Sequence, residues 1–257
     1  TYKTYSFMIE VRQISKRFGD SVVLDNISVT FNKGITNLII GQSGSGKTVL
    51  LKSIVGLHNI DEGEIWYDER KFNTLSFKAK KEIRKEMGML FQGAALFDSL
   101  TVEQNIMFPL DMFTNMSKKE KINRVDFCLS RVNIINANKL FPSELSGGMK
   151  KRVAIARAIA LNPSYLFCDE PNSGLDPQTG IVIDKLISDI TKEYNITTIV
   201  NTHDMNSVIE IGEKVIFIHD GKKLWEGSNT EIMNTNCTEL NDFVFATSLA
   251  KKVKEQS

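Results

Sequence analysis

Ile39-Ile40-Gly41-Gln42-Ser43-Gly44-Ser45-Gly46-Lys47-Thr48 is the stretch on which the reading of this chain turns. It fits the pattern GxxxxGK[ST] and has the surroundings that pattern requires. Upstream, residues 35–40 form a mostly apolar run, as expected of a strand buried on both faces. Downstream, residues 47–55 read as a helix. The glycines let the backbone curl so that successive N–H groups face inward. With the start of the helix, they can surround the oxygens of a phosphate. In such a loop Lys47 reaches the β- and γ-phosphates of a nucleotide and the Thr48 hydroxyl ligates Mg²⁺. The residues expected to bind the nucleotide are Gly41, Gln42, Ser43, Gly44, Ser45, Gly46, Lys47, Thr48 and Val49.

A second element complements the first. Tyr165-Leu166-Phe167-Cys168-Asp169-Glu170 is four apolar residues ending in two carboxylates. That end is the carboxyl edge of a strand, where ligands of open α/β sheets sit. Asp169 would hold Mg²⁺, directly or through water, and Glu170 could polarise an attacking water as general base. Alone it could be a buried strand with a solvated acidic tip. Beside the loop it reads as part of a nucleotide triphosphatase.

Moving outward, residues 9–14 and 22–31 read as strands broken at Gly19 and Asp20. Residues 63–67 form a short strand, 77–85 a charged helix and 87–91 a strand ending at Gln92. From 102 to about 135 the pattern is helical and polar, with Ser117 capping a helix over 118–132. Ser146-Gly147-Gly148 opens a helix that runs to about Ala160. Strand (165–168), helix (180–194) and strand (197–201) then alternate, which argues for a parallel sheet with helices on both faces. The expected organisation is one domain over 8–232 with a helical insertion over about 93–160, followed by a tail, 233–257.

Composition agrees. The 257 residues are 42% hydrophobic, enough for one sizeable core. A net charge of +1 gives no electrostatic reason to expect a nucleic-acid partner. Cys128, Cys168 and Cys237 are scattered without a CxxC pair and read as reduced thiols of a cytosolic protein, Cys168 in a strand. No apolar run approaches the ~18–20 residues of a spanning helix, so membrane contact would come through a partner. The first seven residues hold no apolar signal core. Met8 is a candidate start, which would make them an added or trimmed extension.

Phosphate loops serve many proteins, and the remaining motifs narrow the choice by resemblance. Leu145-Ser146-Gly147-Gly148-Met149 resembles the LSGGQ signature of ABC ATPases. Gln92 is similar to their Q-loop glutamine, which would add a third Mg²⁺ ligand to Thr48 and Asp169. Ser173-Gly174-Leu175-Asp176 resembles the D-loop, and Thr202-His203-Asp204 the switch histidine that senses the γ-phosphate. Phe18 stands where the family places an aromatic that stacks on adenine. Order and spacing match from about Met8 to Thr230, and the chain is identified as a member.

The resemblance implies the ABC ATPase fold: a mostly parallel P-loop core sheet, an N-terminal antiparallel β part and a helical subdomain. Lys47, Gln92, Glu170 and His203 would be its catalytic residues, with ATP and Mg²⁺ as cofactors. Ser146 caps a helix whose first turn holds two glycines, so its free N–H groups are open to an anion. The family closes that helix on the ATP of a second subunit, which implies a homodimer with Ser146, Gly147, Gly148 and Met149 acting in trans. Asp176 would be an interface residue that shapes the water site. Met149 departs from the commoner Gln and Asn172 from the commoner Thr; neither removes a catalytic group.

Met89-Leu90-Phe91-Gln92-Gly93-Ala94-Ala95-Leu96-Phe97-Asp98-Ser99-Leu100-Thr101-Val102, with Pro109-Leu110 and Gly148-Met149-Lys150-Lys151-Arg152, is similar to ATPases of the Mla/Mce branch. That branch implies transport of phospholipid or related lipid, integral membrane permease subunits, an Mce-type lipid-binding protein, and a place on the cytoplasmic face of the bacterial inner membrane. Any coupling subunit also needs an apolar surface here to grip a permease helix, and Ala94, Ala95, Leu96 and Phe97 would supply it for any cargo. Two other readings stay open: an importer of amino acids or metal ions, or an exporter; and a soluble ATPase of iron–sulfur assembly. In the tail, Ala246, Leu249 and Val253 fall on one helical face, expected to reach the second subunit and steady the dimer.

Overall fold

The structure, a computed structural model, describes residues 8–245. In chain order, β1 (Ile9–Phe18) and β2 (Ser21–Phe31) lead to β3 (Thr36–Ile40) and α1 (Lys47–Ile54). β4 (Glu62–Tyr67), β5 (Arg70–Lys71), α2 (Phe77–Lys85) and β6 (Met87–Leu90) come next. The segment before the next strand carries α3 (Val102–Phe113), α4 (Lys118–Arg131) and α5 (Gly147–Ala158). β7 (Tyr165–Asp169), α6 (Pro177–Tyr194), β8 (Thr197–Asn201) and α7 (Met205–Ile211) alternate. β9 (Lys214–His219), β10 (Lys222–Gly227) and α8 (Thr238–Val244) complete the described chain.

Two sheets result. β2-β1-β4-β5 is antiparallel, and the other has the order β10-β9-β3-β8-β7-β6, parallel throughout except for the β9–β10 hairpin. β3, β7 and β8 are buried at every position, as central strands of a sheet covered on both faces are. Their side chains alternate between two cores. Leu38, Ile40, Leu166, Cys168 and Val200 face the side where α3, α5 and α6 pack. Ile39, Phe167 and Ile199 face α1 and the antiparallel sheet. Leu50, Leu51 and Ile54 of α1 share that second core with Ile9, Ile27 and Phe31, so α1 is wedged between the sheets.

Element ends differ from expectation for physical reasons. β1 runs on to Phe18 because Lys16, Arg17 and Phe18 still pair with β2, opposite Leu24, Val22 and Ser21. α6 starts at Pro177, three residues before the expected 180, because the Asp176 carboxylate caps it, accepting from the Thr179 N–H at 3.0 Å and hydroxyl at 2.6 Å. Ser117 caps α4 as expected, with Glu120 completing a capping box. The tail is described only to residue 245. Leu240 and Phe245 are buried in the chain's own core and the Phe243 ring lies 5.6 Å from that of Phe217. Ala246, Leu249 and Val253, on which the expected reach to a second copy depends, lie outside the described residues.

Candidate functional site

The C-terminal ends of β3, β7 and β8 bring three loops together. In the first, residues 41–46, a Cβ on Gly41 would collide with the carbonyl oxygen of Ile218. A Cβ on Gly46, whose φ is 103°, would sit 2.8 Å from the Val23 carbonyl oxygen. α2 through α7 each begin with a side-chain oxygen that accepts a first-turn N–H, from Ser76, Thr101, Ser117, Ser146, Asp176 and Asp204. α1 begins with Gly46 and has no such cap. Its leading amides, at the positive end of the helix dipole, are donors that an anion would satisfy.

Lys47 is 6% exposed, and its ammonium donates to the carbonyls of Gly41 at 2.8 Å and Gln42 at 2.9 Å. Burial lowers its pKa, opposed by the nearby carboxylates of Glu170 and Asp169. The Ser45 hydroxyl is buried without a partner among the described residues. Lysine, serine and bare amides therefore converge on one curl of backbone.

Asp169 ends β7 facing that curl. Its Oδ1 accepts from the Thr48 hydroxyl at 3.3 Å and from Asn201 Nδ2 at 2.6 Å, and Asn201 also donates to the Thr48 hydroxyl at 3.0 Å. Among the described residues no three His, Cys, Asp or Glu side chains gather into a metal cluster. A hydroxyl beside a carboxylate is instead the hard-oxygen pair that suits Mg²⁺, which keeps waters and phosphate oxygens as its other ligands. Sequence reading missed Asn201. The signal was there: an amide ending the buried run Thr197-Thr198-Ile199-Val200, itself fully buried.

Glu170 adopts φ 50°, uncommon for a residue with a Cβ and a form of strain that gathers at functional sites. Its N–H donates to the Asn201 carbonyl at 2.9 Å, and its Oε2 lies 2.8 Å from His203 Nδ1. Gln92, just past β6, donates from Nε2 to the Ser173 hydroxyl at 3.4 Å. Its carbonyl accepts from Lys151, whose ammonium also donates to the Glu170 carbonyl at 3.2 Å. Lys151 is only 5% exposed, so the middle residue of Lys150-Lys151-Arg152 ties the loop after β6 to the loop after β7. A cavity of about 890 Å³ lies alongside, lined by Gln42, Ser43, Glu170, Ser173, His203 and Phe243 among others.

The signature residues are not among those lining this cavity. Ser146 caps α5 through the Met149 N–H at 3.2 Å, as expected. A Cβ on Gly148 would lie 2.7 Å from Thr179 and one on Gly147 3.3 Å from Leu175, so the glycines also let α5 seat against the segment that starts α6. Met149 packs partly buried against the core. Gly174, at φ 78°, and Leu175 lead into the Asp176 cap. Phe18 is 46% exposed, outside both cores, with its ring edge-on to His58 at 5.4 Å and Lys16 Nζ 5.2 Å away.

A separate apolar groove of about 420 Å³ follows β6, lined by Met89, Phe91, Ala95, Phe97, Phe108 and Phe113 among others. Of the four residues expected to form an apolar surface here, Ala94 is buried at 3% exposure and Leu96 packs on the core. Phe91, Phe108 and Phe113 take their place. Arg157 braces the turn, donating to the carbonyls of Ala94 at 2.8 Å and Ala95 at 2.7 Å. No helix among the described residues is long and apolar enough to cross a membrane.

A phosphate loop between a parallel strand and an uncapped helix, faced by Asp169 and by Glu170 with His203, defines an ATP-hydrolysing cassette. The family model described as ABC transporter matches residues 24–173, and the chain belongs to that family as an ATP-binding, ATP-hydrolysing subunit. It is 42% identical over 217 residues to a methionine import ATP-binding protein MetN of Clostridium tetani, covering 84% of this chain and 68% of that one. It is 39% identical over 228 residues to an intermembrane phospholipid transport system ATP-binding protein MlaF of Haemophilus influenzae, covering 89% and 86%. Among solved structures, the dimeric bacterial ABC transporter cassette MJ0796 superimposes with a TM-score of 0.79 at 33% identity, covering 86% of this chain and 98% of that one. The same cassette, bound to ADP and Pi in a post-hydrolysis state, gives 0.78.

Proposed function

We propose that this cassette, residues 8–232, binds Mg·ATP on the 41–49 loop and hydrolyses it as one half of a head-to-tail homodimer, driving lipid movement through a separate permease. Lys47, released from the Gly41 and Gln42 carbonyls, pairs with the β- and γ-phosphates, and Phe18 offers its exposed face to adenine. Thr48 and Asp169 would hold Mg²⁺, with Gln92 joining once its amide leaves Ser173. That ion, when bound, neutralises phosphate charge and orients the γ-phosphoryl group. Glu170 takes the proton of the attacking water, and His203 holds the carboxylate in place and meets the γ-phosphate.

The observation that carries the hydrolytic reading is the 2.8 Å contact between Glu170 and His203 beside the loop. The trans role of Ser146, Gly147, Gly148 and Met149 is supported by their not lining their own subunit's cavity and by the dimeric relative MJ0796. Ser173, Gly174, Leu175 and Asp176 lie beside that signature and would meet the second copy with it.

For cargo, the MlaF relatives and the segment around Gly93–Thr101 favour phospholipid, and the groove of Phe91, Phe97 and Phe108 suits a helix of the permease. The MetN relatives favour a second reading, methionine import. The deciding experiment purifies the chain with its membrane partner and reconstitutes it. Co-purification of an Mce-type protein and ATPase activity that follows phospholipid support the first reading. Activity that follows methionine with a methionine-binding protein supports the second and sinks the first. A Glu170→Gln variant that turned over like wild type would remove Glu170 as the base.

A further inference from the structure

We propose that Asp184 is a positioning residue for hydrolysis: from inside α6 it pins the turn that carries Asn172 to the helix that follows His203. The proposal rests on the roles given above to Glu170 and His203.

The buried stripe of α6 is Gly180, Ile183, Asp184, Ile187, Ser188, Ile190 and Thr191, and Asp184 is 1% exposed within it. Its Oδ2 accepts from Asn172 Nδ2 at 2.8 Å and from the Ser207 hydroxyl at 2.7 Å. Asn172 Nδ2 also donates to the Ser207 oxygen at 3.1 Å, which closes a triangle across three segments. Asn172 is two residues past Glu170 and next to Ser173; Ser207 sits in the first turn of α7, four residues past His203. The triangle therefore joins, from behind, the same two segments that meet in front at the Glu170–His203 contact.

Stability alone does not account for a carboxylate here. Three of the other six residues of the stripe are isoleucine, and an aliphatic side chain at 184 would itself carry no burial penalty. The cost is visible: Asp184 Oδ1 and Asn172 Oδ1 are both buried with no hydrogen-bond partner among the described residues. Burial pushes the Asp184 carboxyl up to about 6, and the negative charges of Asp204 and Glu210 push the same way. A costly group that bridges two catalytic segments is the arrangement expected of a geometric constraint. Asn172, noted from sequence as a departure from the usual Thr, is the residue whose amide makes the bridge possible, since a threonine hydroxyl has one proton to give where the amide has two.

The test uses the full chain. Asp184→Leu fits the apolar stripe and cannot accept a hydrogen bond. ATP affinity and KM should stay within about twofold of wild type while kcat falls by about tenfold or more, the signature of an interaction that matters in the transition state. Asp184→Asn keeps one acceptor oxygen and should restore most of the lost kcat. Adding Ser207→Ala to Asp184→Leu should cost nothing further, because both remove the same tie. Unchanged kcat in Asp184→Leu overturns the proposal, and so does an Asp184→Asn protein that is folded but no better than Asp184→Leu. Should Asp184→Leu fail to fold, Ser207→Ala decides: kcat must fall with ATP affinity kept, and unchanged turnover refutes the bridge. A failure of the underlying reading looks different, because there Glu170→Gln would hydrolyse ATP normally whatever residue stands at 184.

Discussion

Lys47, Asn201 and Glu170 illustrate how much one side chain can carry when it is buried, or nearly so, beside a ligand site. Lys47 holds two backbone carbonyls and no carboxylate, so its ammonium is free to exchange them for phosphate oxygens. Lys47→Ala should weaken ATP binding by about 10- to 100-fold, from the ~1.5–3 kcal/mol of charge-assisted bonds, measured by nucleotide titration. Asn201 donates to both proposed magnesium ligands, Thr48 of α1 and Asp169 of β7. Asn201→Ala should lower stability by about 1–3 kcal/mol and reduce turnover by letting Thr48 and Asp169 drift, seen in urea unfolding and steady-state rates. Glu170→Gln should keep ATP binding and slow hydrolysis by roughly 10²–10⁴-fold. Asp184 adds a pH dependence. The fold holds its proton more tightly than the unfolded chain does, so its contribution to stability is full below about pH 4 and lost as pH rises towards 6. The loss, about 3 kcal/mol for a shift of about two units, should be absent in Asp184→Asn, and the two proteins' stabilities should converge near pH 4.

At the scale of elements, the parallel strands were legible because burial on both faces leaves no polar period: Ile39, Phe167 and Ile199 look one way, Leu38, Leu166 and Val200 the other. The phosphate loop was legible because it needs particular residues in consecutive places. Long-range polar ties were not. Lys151 sits in a run of three basic residues, and nothing local distinguishes the one whose ammonium turns inward to the carbonyls of Gln92 and Glu170. Asp184 falls in an apolar period and reads as an irregularity until its partners, 12 and 23 residues away, are brought to it. The motif around Asp176 marks it as an interface residue and gives no hint of its capping of α6. The same cap logic gives a prediction for α5: Ser146→Ala should cost about 1 kcal/mol of stability through the lost Met149 bond. Ser146→Arg should leave ATP binding by one subunit intact and stop hydrolysis.

For the molecule as a whole, two faces point outward with work to do. The groove of Phe91, Phe97, Phe108 and Phe113 stands apart from the nucleotide cavity. Phe108→Glu should therefore release the cassette from its membrane partner, measured by co-purification, while ATP affinity stays unchanged. The other face is the one α1 opens towards. Because α1 is gripped between two apolar layers, its bare leading amides are held in place before any nucleotide arrives. A first ATP then meets a rigid cradle and has little chain to order. Calorimetry should register that encounter with a small change in heat capacity. The large negative change should wait for the later event, when two copies come together and apolar surface leaves water.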